Sequence, residues 1–256
     1  MEQNQPLFSI ITPTFNCAQK LDSTIQSIFS QDESLWDYWV IDGGSTDGTV
    51  NHLLQNESKL QWLSEPDKGI YDAMNKGVQR ARGKFVYVLG AGDRLRPNIL
   101  STIAQELTKN RDISHPRPLL LYGDVIWGET GRRYDGHFSK LKLADTNICQ
   151  QAIFYDSRIF TKLGNFDTQY SLCADYHFNF RCFADPSIRR RYIDIVVANY
   201  ESPGASKAID QRFYADRPEL IRRHFGDHYS VAVTVIRKLQ ALKQNIGGLK
   251  RKLLSG

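Results

Sequence analysis

Short apolar runs alternate with amphipathic segments over the first 95 residues of the chain. Four runs are rich in β-branched and aromatic residues, which is typical of buried strands, and each is followed by polar loop residues. Apolar residues at a spacing of three or four predict helices between them. The predicted strands are 8–13, 36–41, 60–63 and 85–89, and the predicted helices are 21–29 and 70–81. This alternation indicates a mainly parallel α/β sheet.

The second half of the chain is less regular. Its apolar pattern predicts strands at 119–126, 132–138, 152–155 and 191–197, and a helix at 175–184. A basic helical region begins at residue 209. Because no repeat or linker divides the chain, we expect one mixed α/β domain over residues 1–207 and a helical extension over residues 208–256.

Polar side chains follow each of the first four predicted strands. They are Thr12 and Asn16, Asp42 and Asp47, Glu65 and Asp67, and finally Asp93. The carboxyl ends of parallel strands meet at one edge of a sheet, where open α/β folds bind ligands. We therefore expect these side chains to line a single crevice.

The loop at residues 42–49 does not match an EF-hand, which needs oxygen ligands at positions 1, 3 and 5 and Gly at 6, whereas these positions hold Asp42, Gly44, Thr46 and Asp47. Asp42, followed by two glycines, fits the edge of a nucleobase better. For Asp47, capping of the next helix is an equal alternative. The chain has neither a G-x-G-x-x-G motif after the first strand nor a P-loop. Asp93 could hold a divalent cation on two phosphates, although a lone Asp after Gly is more often a turn residue.

Composition and charge narrow the class of protein. With 256 residues, 41% hydrophobic and 24% charged, the chain is neither fibrous nor disordered. The net charge is +5, but six basic and no acidic residues lie from Tyr229 onward, so the rest sums to −1. A nucleic-acid partner is therefore disfavoured. Four scattered cysteines, no signal-peptide pattern and no apolar run of bilayer length predict a cytoplasmic protein with reduced thiols.

Four ordered motifs together carry a family resemblance. They are Ser9-Ile-Ile-Thr-Pro-Thr-Phe-Asn16, Val40-Ile-Asp-Gly-Gly-Ser-Thr-Asp-Gly-Thr49, Ser64-Glu-Pro-Asp-Lys-Gly-Ile-Tyr-Asp-Ala-Met-Asn-Lys-Gly77 and Gly90-Ala-Gly-Asp93. The chain resembles the family 2 inverting glycosyltransferases of the GT-A fold, and within them the bacterial colanic acid and exopolysaccharide enzymes. The likeness covers residues 8 to about 204. It implies a nucleotide-binding half at about 7–95 and an acceptor half at 96–207.

The resemblance also implies roles for the donor side of the site. Thr12, Phe15 and Asn16 would form the nucleotide floor, and Asp42 and Asp67 would contact the nucleobase or the ribose. Asp93 would hold Mn²⁺ or Mg²⁺ as the metal-binding member of a D-x-D-type motif. Gly92 stands where many relatives have a second carboxylate, which leaves the ribose contact in doubt.

On the acceptor side, the resemblance makes Asp175 the catalytic base, although an Asp at a helix start is ordinarily a capping residue. His177, two positions further along the helix, faces away. Gln150 stands where relatives often have His, so no His role is assumed. The segment 200–206 resembles a loop that could close over the diphosphate. Since the base must be ionised at neutral pH, an ordinary Asp pKa suffices.

The implied reaction moves a sugar from a nucleotide-sugar, in the first instance a UDP-sugar, to an acceptor hydroxyl on a saccharide or lipid-linked saccharide. A non-catalytic nucleotide- or sugar-binding module is one alternative. A sugar nucleotidyltransferase is another, but it would be expected to have a Gly-rich basic loop where this chain has Thr12-Pro-Thr-Phe-Asn16.

The basic extension has an amphipathic pattern. Its apolar residues at steps of three or four are Ile236, Leu239, Leu242, Ile246, Leu249 and Leu253. Such a helix suits an anionic membrane surface, which a lipid-linked acceptor at the inner face of the cytoplasmic membrane would supply. A helix packed on the domain with a solvated basic face is an equal alternative. Gly247-Gly248 predicts a break in the helix.

Overall fold

The computed structural model describes residues 5–128, 130–201 and 209–254. Within these ranges nine strands form one sheet, accompanied by helices. The strands are β1 (Phe8–Thr14), β2 (Trp36–Asp42), β3 (Gln61–Ser64), β4 (Phe85–Val88), β5 (Arg94–Leu95), β6 (Leu119–Trp127), β7 (Arg132–Tyr134), β8 (Ile153–Asp156) and β9 (Arg189–Tyr200). The helices are α1 (Ala18–Phe29), α2 (Thr49–Gln55), α3 (Ile70–Arg80), α4 (Ile99–Lys109), α5 (Lys140–Asp145), α6 (Ser157–Leu163), α7 (Ala174–Ala184), α8 (Gln211–Phe225) and α9 (Asp227–Leu254).

The strand order is β3-β2-β1-β4-β8-β6-β9-β5, with β7 beside β6. Strands β3, β2, β1 and β4 are parallel, whereas β8 runs antiparallel to β4 and β6. Strand β9 is parallel to β6, and β5 is antiparallel to β9. The carboxyl ends of β1, β2, β3, β4, β6 and β9 therefore share one edge with the start of β8. The predicted mixed, mainly parallel α/β sheet is confirmed.

The core is built around β1, in which all seven residues are buried. Helix α3 lies close to this strand because residue 77 is glycine. A Cβ at Gly77 would come within 2.5 Å of Ile11 Cγ2. Asn75 then joins α3 to the segment before α7, since its amide exchanges two hydrogen bonds of 2.9 and 3.0 Å with the backbone of Phe166. These contacts fix α3 relative to both the sheet and α7.

Several elements differ from the prediction. Helix α4 was not predicted, although its buried Leu100, Ile103 and Leu107 have helical spacing. Strand β7 has three residues instead of the expected seven. The predicted break at Gly247-Gly248 is wrong, because α9 continues to Leu254. Two glycines cost about 1 kcal/mol each in a helix, which good helix formers on either side can offset.

Two expectations concern residues outside the described ranges. The proposed boundary at 207–208 lies there, as does most of the loop at 200–206. Within the described ranges, none of the helices combines the length and the apolar character needed to cross a membrane. All four cysteines are described, and none forms a disulfide.

Candidate active site

Phe15, Gly43 and Asp67 form a small cradle at the ends of β1, β2 and β3. The Phe15 side chain is 60% exposed. A Cβ at Gly43 would lie 2.6 Å from Asp67 Oδ2 and 3.3 Å from Phe15 Cδ2, so an aromatic ring and a carboxylate oxygen meet above this glycine. Asp67 Oδ1 accepts a hydrogen bond of 2.8 Å from the Gly69 N–H, which orients the carboxylate. The cradle can stack a planar ring and accept a hydrogen bond from its edge.

Asp42 lies beneath this cradle and not on its surface. Its side chain is fully buried. One oxygen accepts hydrogen bonds from the Gly44 N–H (3.1 Å), the Ser45 N–H (2.9 Å) and the Ser64 hydroxyl (2.6 Å), and the other accepts from the Ser45 hydroxyl. The expectation of a nucleobase contact from this carboxylate is corrected, because its oxygens already hold the β2 loop in shape.

Thr12 is also buried, and its hydroxyl accepts a hydrogen bond of 3.0 Å from Tyr38 Oη. Its expected place on the nucleotide floor is therefore corrected to one within the core. The neighbouring Thr14 ends β1, and its buried hydroxyl oxygen has no hydrogen-bond partner. Since buried polar atoms are normally paired, Thr14 is a candidate ligand contact that the sequence analysis did not identify.

Asn16 connects the loops that follow β1 and β2. Its N–H donates to Ser45 Oγ at 2.7 Å, and its Oδ1 accepts from the Thr46 N–H at 2.9 Å. It therefore ties together the two loops beside the cradle of Phe15, Gly43 and Asp67. Asp47 is a helix-capping residue, because its carboxylate accepts hydrogen bonds of 3.0 Å from the first N–H groups of both α1 and α2.

Asp93 lies at the same edge, after β4, and is only 6% exposed. Its Oδ2 accepts a hydrogen bond of 2.6 Å from Gln151 Nε2, and its Oδ1 accepts one of 3.0 Å from the Glu201 N–H. Burial raises the pKa of this carboxyl group to about 6. A buried carboxylate with a raised pKa is the kind of group that a bound cation would stabilise in its charged form.

The surroundings of Asp93 contain both signs of charge. A Cβ at Gly92 would lie 3.4 Å from Lys20 Cδ and 3.8 Å from Glu201 Oε2, and Glu201 pairs with Arg94 at 3.1 Å. Among the described residues, no group of three or more His, Cys, Asp or Glu side chains could hold a metal. Asp93 fits a Mg²⁺-type site that takes one or two carboxylates from the protein and its other ligands from phosphate and water.

Asp175 lies in the first turn of α7 and is 8% exposed. Tyr71 Oη, from α3, donates to Asp175 Oδ1 at 2.5 Å, and Asn147 Nδ2 donates to Oδ2 at 2.7 Å. Behind them, Asn179 Nδ2 donates to Asn147 Oδ1 at 2.9 Å, and Tyr155 Oη donates to Asn179 Oδ1 at 2.9 Å. The carboxylate is thus one end of a network that fixes its orientation.

Burial raises the pKa of Asp175, whereas the hydrogen bonds from Tyr71 and Asn147 lower it. The pKa of Asp175 is therefore higher than that of an ordinary Asp, although an ordinary value would already leave the base ionised at neutral pH. A carboxylate with a raised pKa is a stronger base than an exposed one, and raised values are typical of catalytic carboxylates.

The segment before β8 joins the two carboxylates, since Asn147 Nδ2 donates to Asp175 at 2.7 Å and Gln151 Nε2 donates to Asp93 at 2.6 Å. The thiol of Cys149 interacts electrostatically with both Asp93 and Asp175, and together with burial they raise its pKa. Its Sγ lies 3.1 Å from Gln151 Oε1, so the segment before β8 runs between the two carboxylates. The antiparallel pairing of β8 with β4 places this segment at the carboxyl edge.

His177 and Gln150 are two further residues close in sequence to the site residues, and His177 faces away from Asp175 as the sequence predicts. His177 faces α8, where its ring lies 5.7 Å from that of His224, and burial lowers its pKa to about 4. It has no contact with Asp175 in the described structure. Gln150 is 9% exposed and its Nε2 has no partner.

Known proteins are similar to this chain in sequence and in fold. Residues 9–183 match the family described as Glycosyl transferase family 2. A PGL/p-HBAD biosynthesis glycosyltransferase of Mycobacterium bovis is 37% identical over 221 residues, covering 83% of this chain and 84% of that protein. An uncharacterized glycosyltransferase of Mycobacterium tuberculosis is 33% identical over 184 residues, covering 69% and 68%.

Two solved structures share the fold. S. aureus TarS superimposes with a TM-score of 0.68 at 16% identity, over 89% of this chain and 42% of that one. The mannosyltransferase PcManGT from Pyrobaculum calidifontis, in complex with GDP-Man and Mn²⁺, gives 0.60 at 19% identity over 91% and 65%.

The fold and the site define a sugar-transferring enzyme of the GT-A type, which uses a nucleotide-sugar donor. The chain belongs to glycosyltransferase family 2, and the family resemblance seen in its motifs is confirmed.

Proposed function

We propose that this glycosyltransferase moves a sugar from a UDP-sugar to an acceptor hydroxyl with inversion at the anomeric carbon. The observation that carries the proposal is the buried Asp175 carboxylate, which is held by Asn147 of the same short segment whose Gln151 holds Asp93. A fixed, basic carboxylate next to a diphosphate-binding position is what a single displacement requires.

In this reaction Asp175 takes the proton of the acceptor hydroxyl while the acceptor oxygen bonds to the anomeric carbon. The bond from that carbon to the diphosphate oxygen breaks, and the nucleoside diphosphate leaves with the bonding electrons. One displacement from the opposite face inverts the configuration. The raised pKa of Asp175 improves its match to the proton that it takes.

For the donor, Phe15 would stack on the nucleobase and Asp67 Oδ2 would accept a hydrogen bond from the base or the ribose. Asp42, Thr12 and Asn16 would support this contact from behind, as their internal hydrogen bonds suggest. TarS has been crystallised with UDP and with UDP-GlcNAc, and PcManGT with GDP-Man. Uridine and guanosine donors are therefore the first to compare.

For the metal, Asp93 would be the ligand from the protein, with Glu201 beside it. Mn²⁺ or Mg²⁺ held there would neutralise the charge that develops on the leaving diphosphate.

The reaction class is tested by incubating the protein with UDP-sugars, Mn²⁺ and a set of saccharide acceptors, and then identifying the released product. A transferase releases UDP. Pyrophosphate release on incubation with sugar phosphate and UTP would identify a nucleotidyltransferase, and no release from any donor would favour a binding module.

The stacking contact predicts a specific binding defect. Phe15→Ala is expected to weaken UDP binding by about 5- to 150-fold, since loss of a base–aromatic stack costs about 1–3 kcal/mol. Isothermal titration of UDP measures the change. Leu54→Ala is a matched control, because Leu54 is a similarly exposed apolar residue on α2. Equal affinities for UDP in Phe15→Ala and wild type would remove Phe15 from the donor site.

We also propose that α9 attaches the enzyme to an anionic membrane surface, where a lipid-linked saccharide would be the acceptor. Its exposed apolar stripe consists of Val231, Val235, Leu239 and Leu242, which are 63%, 49%, 54% and 56% exposed. The opposite face contacts the domain, where Val233 is buried and Arg237 pairs with Asp145 at 2.9 Å. Ile236, expected in the stripe, is only partly exposed.

The sequence continues this stripe at Ile246, Leu249 and Leu253. Lysines fall at helical positions on either side of it, at 238, 243, 250 and 252. Because no acidic residue occurs from Tyr229 onward, two copies of this face would repel each other. The same charges are attracted to anionic lipids by about 1 kcal/mol each, which favours a membrane over a second copy as the partner.

The double substitution Leu239→Gln and Leu242→Gln is expected to weaken binding to phosphatidylserine-containing vesicles by at least about tenfold, because two apolar side chains are lost from the contact. Co-sedimentation measures this, and phosphatidylcholine vesicles test the need for anionic lipid. Leu54→Gln is the control, as an exposed leucine outside α9. If the double variant sediments like wild type, α9 is not the membrane contact.

A further inference from the structure

We propose that Tyr71 is a positioning residue for the base. Its hydroxyl group donates a hydrogen bond to Asp175 while Asp175 is ionised, and to the Leu172 carbonyl oxygen while Asp175 is protonated. This inference deepens the proposed function and rests on Asp175 being the base. It assigns Tyr71 a role in both protonation states of the carboxyl group.

The geometry offers two acceptors to one donor. Tyr71 Oη lies 2.5 Å from Asp175 Oδ1 and 3.1 Å from the Leu172 carbonyl oxygen. A phenol has one proton, so it donates to only one of them at a time. While Asp175 is ionised, its carboxylate is the stronger acceptor and takes the bond.

When Asp175 is protonated, its carboxyl group can donate a hydrogen bond to Tyr71 instead of accepting one. A neutral carboxyl group can turn its O–H toward Tyr71 Oη and donate a hydrogen bond to it. The Tyr71 hydroxyl then donates its own hydrogen bond to the Leu172 carbonyl oxygen. Asn147 Nδ2 can only donate, so it serves the other carboxyl oxygen, Oδ2, in both states. Only hydroxyl rotation is needed, and no buried donor is left unpaired.

The heavy atoms of this arrangement are fixed. Tyr71 is 7% exposed, and its ring packs against Phe166 with the centroids 5.8 Å apart. Leu172 is fixed by its own N–H, which donates to Asp210 Oδ2 at 2.8 Å. Both acceptors of the Tyr71 proton therefore keep their positions when the carboxyl group changes its charge.

Among the described residues, no cationic side chain pairs with Asp175; Asp210 and Arg217, which both act on the neighbouring Cys173 thiol, have opposite charges, and the other groups near Asp175 are uncharged. Besides the phenol of Tyr71 they are the amide of Asn147, the phenol of Tyr155 and the thiols of Cys149 and Cys173. Burial raises the pKa of both thiols and of the Tyr155 phenol, so these groups are neutral at neutral pH. Stabilisation of the charged carboxylate therefore depends on its two hydrogen bonds.

The test measures the pKa of Asp175 without any substrate, from the ¹³C shift of its carboxyl carbon in the labelled protein. Tyr71→Phe is expected to raise this pKa by about one to two units, because a hydrogen bond to the charged form is lost. The acid limb of the pH profile for transfer should move upward by the same amount. Activity lost at neutral pH should then recover at higher pH, with an unchanged KM for the donor.

The matched control is Tyr170→Phe, which removes a buried phenol whose partner is another carboxylate, Asp216, at 3.1 Å. It should leave the Asp175 pKa unchanged. An unshifted Asp175 pKa in Tyr71→Phe, or an equal loss of activity at all pH values, overturns the inference. Failure of the proposed function gives a different result: Asp175→Asn would then retain transfer, whatever the pKa of Asp175 in Tyr71→Phe.

Discussion

Asp175→Asn is expected to lower the rate of sugar transfer by about 10²- to 10⁴-fold while UDP affinity stays near that of wild type, because general-base removal affects proton transfer and not donor binding. The substitution keeps the shape of the side chain and removes its basicity. Release of UDP from the UDP-sugar in the presence of acceptor measures the rate, and titration calorimetry measures UDP affinity.

The structure explains why this variant should fold. An amide at position 175 can turn its oxygen toward Asn147 Nδ2 and its NH₂ toward Tyr71 Oη, which then donates to the Leu172 carbonyl. Every buried polar group of the network therefore keeps a partner. Asp216→Asn, on α8, is the matched control outside the site. A parallel loss of UDP affinity in Asp175→Asn would place this carboxylate in the donor site and not at the acceptor.

The parts of the site that the sequence predicted are those encoded by local pattern. Strands β1 to β4 are short apolar runs, and the loops that follow them contain Phe15, Asp67 and Asp93. Asp175 was placed at a helix start, which is where α7 begins. The direction in which a strand-end side chain points was not predictable from residue type. For this reason Asp42 and Thr12, although correctly located at the edge, proved to be buried supports.

The residues that the sequence missed reach the site through long-range pairing. Gln151 arrives because β8 is antiparallel to β4. Glu201 lies in the segment 200–206 that the sequence indicated, but its contact with Asp93 arises because β9 ends beside β6 and β5. Asn147 follows α5 and has no periodic or motif signal. Tyr71 did lie within a recognised motif, but its partner is 104 residues away. Only the assembled sheet brings such pairs together.

Asp93→Asn is expected to abolish metal-dependent turnover and the Mn²⁺-dependent part of UDP binding, because it removes the carboxylate charge that would hold the cation. Electron paramagnetic resonance of Mn²⁺ with UDP measures binding independently of activity. Asp37→Asn is a control elsewhere in the sheet, where another partly buried carboxyl group has a raised pKa. Near-normal turnover of Asp93→Asn with Mn²⁺ present would show that the metal assignment is wrong.

Asp93→Asn is expected to impair metal binding and turnover, but in the absence of metal it should not lower the stability of the fold. The folded-state pKa of Asp93 is raised from 3.8 to about 6, so folding disfavours its charged form. That cost is about 3 kcal/mol well above pH 6, and it falls to about 0.5 kcal/mol at pH 4, where the carboxyl group is protonated in the folded state but only partly protonated in the unfolded state. With chelator at pH 8, Asp93→Asn should therefore melt no lower than wild type, even after the loss of one hydrogen bond to a charged acceptor. At pH 4 most of this advantage should be lost. Thermal melts of both proteins at the two pH values check the sign. If the stability of Asp93→Asn relative to wild type is lower at pH 8 than at pH 4, the Asp93 charge is favourable in the metal-free fold.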